Sequence, residues 1–278
     1  MNTSNNNELI KDKKYPLVLI MVCLYIFLFI ERPWESIRYL RDIPVERPYA
    51  ILMIVVALIN GQFKVVKAPT NKWVYGLLIA HFFVACFAFD SAAAIGQGTD
   101  YAKLVILYLL MLAVADDEQS LMLLVRVYVI SMAIYISHSL LEYHNGRYIS
   151  RMGISRMIGV DSTYNDPNAF AASILLSVPF WYVLFLNETS KNRRIIYYAY
   201  MIAAVTCIIL TGSRSAFVVS ILLALIWLLT RKGRKKIISL VVILLTLSVA
   251  WQVMPVSKQE RIRSIWDENA GPQNAHTS

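Results

Sequence analysis

In the stretch IILTGSRSAFVVSILL, Ile208–Leu223, a single arginine stands between two apolar runs. Runs of this kind recur along the whole chain. Only a helix satisfies its own backbone hydrogen bonds inside hydrocarbon, and each needs ~20 predominantly apolar residues to cross. The composition agrees: 58% of the 278 residues are hydrophobic and 16% are charged, with a mean hydropathy of +0.54. That is too apolar for a soluble domain of this length. The expected fold is all-α, a polytopic transmembrane helix bundle of about nine spans.

The nine runs are Pro16–Ile30, Pro48–Phe63, Trp73–Phe89, Tyr101–Ala115, Leu121–Leu141, Ala169–Leu186, Ile195–Thr211, Ala216–Thr230 and Ile237–Val256. Several are short and borrow flanking Trp, Tyr, Lys or Arg as interfacial residues. The first follows NNNELIKDKKY, has no small-residue cleavage pattern after it, and reads as a retained span rather than a signal peptide. Residues 1–256 form one transmembrane domain, and 257–278 start a periplasmic loop or tail.

The net charge of +9 is not a nucleic-acid signature, because in a polytopic chain basic residues report which loops stay in the cytoplasm. Lys11, Lys13 and Lys14 precede span one, Lys64, Lys67 and Lys72 separate two from three, Lys191, Arg193 and Arg194 separate six from seven, and RKGRKK separates eight from nine. These loops are expected inside, which puts the N-terminus in the cytoplasm. The loop from Glu31 to Arg47 dissents with four arginines, accompanied by four carboxylates. The loop DDEQ has no basic residue and supplies carboxylates to the positive start of span five.

Cys23, Cys86 and Cys207 are far apart within apolar runs, so they form neither a disulfide framework nor a metal set. His81 reads as a packing residue; His138 and His144 flank the outer end of span five. All eighteen acidic residues fall outside the middles of the nine runs, where an ion-coupled transporter needs one. No phosphate-binding Gly-Lys-Ser/Thr loop or dinucleotide fingerprint is present.

Two polar stretches then meet one membrane face: NGRYISRMGISRMIGVDSTYNDPNAF between spans five and six, and TGSRSAF between seven and eight. Asp166 suits an N-cap with Pro167 at the first helical position, so span six starts sharply. Ser213 suits the cap of span eight, which sets Arg214 in the first turn, where the helix dipole repels a cation by ~0.3–1 kcal/mol. An anion at that face reverses the sign, since free N–H groups and an arginine together hold phosphate. Two readings stay open here: a lipid-diphosphate contact, or an arginine snorkelling to headgroups. DPN alone is equally a good helix start, and Arg147, Arg151 and Arg156 equally a solvated charged face.

TYNDPNAFAASILLSVPF and LTGSRSAFVVSILLAL, in this order and with a span and a basic loop between them, resemble the O-antigen ligase and O-antigen polymerase superfamily of bacterial membrane glycosyltransferases. FIERPWESIRYLRDIPVERPYAIL also resembles the first outer loop of some members, so the resemblance runs from Phe29 to Asp267. It implies an inner-membrane, metal-independent enzyme with no cofactor. Such an enzyme moves a glycan from an undecaprenyl diphosphate carrier to a hydroxyl of lipid A core or another glycan, in lipopolysaccharide or exopolysaccharide assembly. It places Arg214 as the catalytic residue on the diphosphate, Asp166 and Asn168 beside the donor, and Arg156 as a second cation. Members continue into a larger loop with another arginine and a histidine, then further spans. Relative to them this chain reads as truncated, and His276 does not sit in the histidine's context. A flippase for lipid-linked glycan and an inactive remnant are the rival readings.

Overall fold

The structure is a computed structural model that describes residues 16–36, 39, 45–63, 66–151, 153–161, 164–264 and 267. It is mostly helical. Among the described residues the α-helices are α1 (Leu17–Glu31), α2 (Glu46–Ile59), α3 (Asn71–Ala85), α4 (Ser91–Val114), α5 (Glu118–His144), α6 (Pro167–Asn187), α7 (Lys191–Thr211), α8 (Arg214–Leu229), α9 (Arg234–Val253) and α10 (Val256–Arg263). Each of the nine apolar runs falls on one of α1–α9, in order.

Among the described residues five helices are long and apolar enough to cross a membrane: α1 together with the 3-10 turn that follows it, α4, α5, α6 and α7. Two further apolar stretches, Arg214–Leu229 and Lys236–Val249, are shorter. Large apolar side chains such as Leu17, Ile20, Ile195, Ile202, Leu222 and Leu245 point outward from these helices. Such a surface suits lipid and would aggregate in water.

Two features depart from the expected pattern of elements. Residues Tyr148–Arg151 (β1) and Ile154–Met157 (β2) form an antiparallel hairpin, with Ile149 opposite Arg156 and Ser150 opposite Ser155. Gly153, at φ 72°, supplies the left-handed backbone that such a tight turn needs. The second departure is α4, which starts ten residues before the apolar run Tyr101–Ala115, because Asp90 caps it by accepting from the Ala93 N–H at 3.0 Å. Asp100 therefore lies well inside a 24-residue helix long enough to cross, against the expectation that no carboxylate falls near the middle of a span. It is exposed and paired with Lys103 one turn on, at 2.6 Å.

The chain divides into two compact units, Met1–Val127 and Tyr128–Ser278, with the boundary inside α5. In the first, α1 meets α2, and α3 meets α4. Tyr49 joins the first pair by donating to the Met21 carbonyl at 3.0 Å and stacking on Tyr25. In the second pair His81 stacks on Tyr101, with its Nδ1 2.8 Å from the Leu77 carbonyl. In the second unit α6 packs on both α7 and α8, and α8 on α9. Its core is built on small residues: Ala171 and Leu175 of α6 and Ala216 of α8, with Ile208 and Leu223 against them. Small side chains let helix backbones approach closely where lipid gives no hydrophobic drive for packing.

Candidate functional site

Site geometry in the second unit starts from two helix caps. Asp166 Oδ1 accepts from the backbone N–H groups of Asn168 at 2.8 Å and Ala169 at 2.9 Å, with Pro167 at the first helical position. These bonds satisfy amides that a helix start leaves without intrahelical partners. Asp166 Oδ1 is thus occupied by the backbone. Ser213 Oγ likewise accepts from the Ala216 N–H at 3.4 Å, which makes Arg214 the first residue of α8. Just before it, Gly212 ends α7 in the left-handed conformation at φ 57°.

Arg156 brings the two caps together. From β2 its Nη2 donates to Asn168 Oδ1 at 2.9 Å, and its Nε donates to the carbonyl of Thr211, the last residue of α7, at 2.8 Å. It is 2% exposed. The DPN stretch and the GSR stretch therefore share one buried guanidinium. Arg214 is exposed and donates from Nη1 to Ser264 Oγ at 3.1 Å.

A residue that the sequence reading left in the tail joins them. Lys258 of α10 is 3% exposed; its Nζ donates to the Leu210 carbonyl at 2.7 Å and lies 5.7 Å from the centre of the Tyr143 ring. Burial, and then the charge of Arg156, hold its ammonium down to about 8. The final carbonyls of α7, Leu210 and Thr211, each receive a cationic donor, which the negative end of a helix dipole favours. One residue past the Gly212–Ser213 turn, the positive start of α8 disfavours the same charges.

The loop that carries Arg156 is closed from within. The Gly159 N–H donates to the Tyr164 carbonyl at 2.8 Å, and the Tyr135 hydroxyl of α5 donates to Asp161 Oδ1 at 2.6 Å. Asp161 Oδ1 also accepts from the Tyr164 N–H at 3.1 Å. A Cβ at Gly159 would collide with the Tyr135 hydroxyl and Tyr164 Cβ, so only glycine fits. Asp161, Tyr135 and Lys258 were missed because Asp161 reads as loop polarity, Tyr135 as span and Lys258 as tail. The one local signal was Pro255 before VSKQERIR, a helix start.

Elsewhere, Arg231 donates to the Tyr182 hydroxyl at 2.5 Å and lies 4.7 Å from the Trp227 ring centre. Arg193 pairs with Glu188 at 3.3 Å. Among the described residues no three His, Cys, Asp or Glu side chains gather as a metal set. His276 lies outside the described residues. No family model, no curated protein sequence and no solved structure matches the chain.

Proposed function

We propose that this chain is a nine-span bacterial inner-membrane protein of the O-antigen ligase and polymerase type, with its N-terminus in the cytoplasm. It transfers a glycan from undecaprenyl diphosphate to an acceptor hydroxyl at the periplasmic face. The acceptor oxygen bonds to the anomeric carbon as the bond from that carbon to the diphosphate oxygen breaks. Negative charge then grows on the leaving diphosphate. Arg214 is the group placed to offset it, and preorganised charge of this kind is worth roughly 10²–10³ in rate. Arg156 and Asn168 fix the neighbouring helix start, and Asp166 builds it. The acceptor's proton needs a base, and no residue is assigned to that task.

The observation that carries this reading is Arg156. It ties Asn168 to the end of α7, so that stretches 55 residues apart and less meet at one end of the second unit, where three cations surround one turn. A solvated charged face would not bury a guanidinium and an ammonium there.

The test is a gel profile of surface and carrier-linked glycans from a strain lacking the gene, complemented with the wild-type chain or Arg214→Ala. Wild type restores the profile and Arg214→Ala does not. A restored ladder of chain lengths identifies a polymerase; restored attachment with loss of carrier-linked glycan identifies a ligase. Equal restoration by both chains removes Arg214 from the chemistry.

A further inference from the structure

Lys258 presents an electrostatic problem that the helix end alone does not solve. Lysine is almost never fully buried unless it is paired, and this one is 3% exposed with a carbonyl and an aromatic ring as its partners. Its charged neighbour is Arg156, itself 2% exposed and of the same sign. The other charged or titratable groups near this end of the elements meeting here are Arg214 at the start of α8, His138, Glu142, Tyr143 and His144 in the last turns of α5, Arg147 and Tyr148 at the start of the hairpin, Asp166 before α6, Cys207 on α7, Glu260 and Arg263 on α10 itself, and Asp267 after it. Among the described residues no carboxylate bonds its Nζ.

α10 is attached to the α7–α8 turn at two points, through Lys258 to Leu210 and through Ser264 to Arg214. Gly212 lies directly beneath, since a Cβ there would touch Lys258 Cγ at 3.7 Å.

We propose that α10 is an anion-coupled clasp: a phosphate-class anion held at the α7–α8 turn by Arg214 supplies the negative charge that lets Lys258 dock in its charged form. The coupling rests on the burial and bonding of Lys258. Only the identity of the anion as a lipid-linked diphosphate rests on the proposed function.

The sign follows from the direction of the lysine's shift. Docking holds Lys258 down to about 8, below its ordinary 10.5, so the docked state binds fewer protons and gains stability as pH rises through that window. Near neutrality the charge opposes docking. An anion at the turn raises the lysine's pKa, removes the penalty, and by reciprocity binds more tightly to the docked form.

Hydrogen–deuterium exchange of the α10 amides, Val256–Arg263, in the full chain in detergent micelles reads this directly. The anion arms are a short-chain prenyl diphosphate, inorganic pyrophosphate and phosphatidylglycerol. At about pH 7 an anion should raise protection of α10 about tenfold, and at about pH 9 the wild type should be protected without one. Lys258→Met should be protected with no anion at either pH. Lys258→Arg, which keeps its charge, should need the anion at both. Arg214→Ala should lose the anion response while keeping the pH response.

Wild-type α10 equally protected at pH 7 with and without every probe overturns the clasp. So does a Lys258→Arg chain that docks freely at pH 7, a result that stands even if Lys258→Met fails to fold. A response to prenyl diphosphate but not to phosphatidylglycerol supports the clasp with the glycan donor as its anion. The reverse supports the clasp with a lipid headgroup in that place and removes the donor reading.

Discussion

Arg156 is buried and Arg214 exposed, and their substitutions test folding apart from the proposed function. Removing the Arg156 side chain takes a donor from the exposed Asn168 amide and from the carbonyl of buried Thr211, and a buried polar group so deprived costs ~1–3 kcal/mol. Arg156→Ala should therefore lower the thermal midpoint of the purified chain by several degrees. Arg156→Lys should recover only part of this, because a point ammonium cannot reproduce two donors at a fixed fork. Arg214 is exposed, with one hydroxyl partner. Arg214→Ala should leave the melt nearly unchanged while abolishing glycan transfer. Equal melting losses at both positions would make Arg214 a structural residue. The two caps were legible in the sequence because capping is decided within four residues. The bonds of Arg156 to Thr211 and Lys258 to Leu210 span 55 and 48 residues, and no local pattern encodes them.

At the scale of elements, the β1–β2 hairpin is what the all-α reading lacked. Its trace is visible afterwards as ISRM repeated on either side of Gly153; the strands themselves are Tyr148–Arg151 and Ile154–Met157. Strands this short give little periodicity beside spans of twenty residues. Two glycines of this segment fail differently when replaced. Gly153 has open space around it but φ 72°, so Gly153→Ala carries backbone strain alone, ~1–2 kcal/mol. Gly159 meets the Tyr135 hydroxyl, so a methyl there must open the Tyr135–Asp161 bond that closes the loop. Gly159→Ala should give the larger loss of stability and should speed hydrogen exchange through residues 154–157. A loss smaller than that of Gly153→Ala would mean that the loop has room to move. The early start of α4 has a similar origin: Gly96, Gln97, Gly98 and Asp100 precede the apolar run and hide the helix start, but the Asp90 cap and the packing of Gly98 against Phe82 keep them helical.

For the whole molecule, the long apolar runs located α1–α9, yet length divides them. α2, α3 and α8 have 14, 15 and 16 residues, about 21–24 Å at 1.5 Å per residue, against a hydrocarbon core of about 30 Å. Thinning of the bilayer or snorkelling flanks would let them cross. Otherwise α2 with α3, and α8 with α9, enter and return on one side. Because each pair contains an even number of helices, the two counts agree on nearly every loop. With the N-terminus inside, both put the hairpin after α5 and the α7–α8 turn outside, and both put the α6–α7 loop inside. They disagree at the loop after α2 and the loop after α8. Lys64, Lys67, Lys72 and the cluster RKGRKK at those places favour the inside, and so favour nine. Single cysteines at Gln62 and Gly233, in a chain freed of Cys23, Cys86 and Cys207, should thus resist a membrane-impermeant maleimide in cells with a permeabilised outer envelope, while one at Asn145 reacts. Labelling at Gln62 and Gly233 without disruption of the inner membrane would reduce the spans to five and lay α8 along the outer interface. The turn carrying Arg214 would keep its side of the membrane in either case, so the count of spans and the position of the proposed diphosphate contact stand or fall separately.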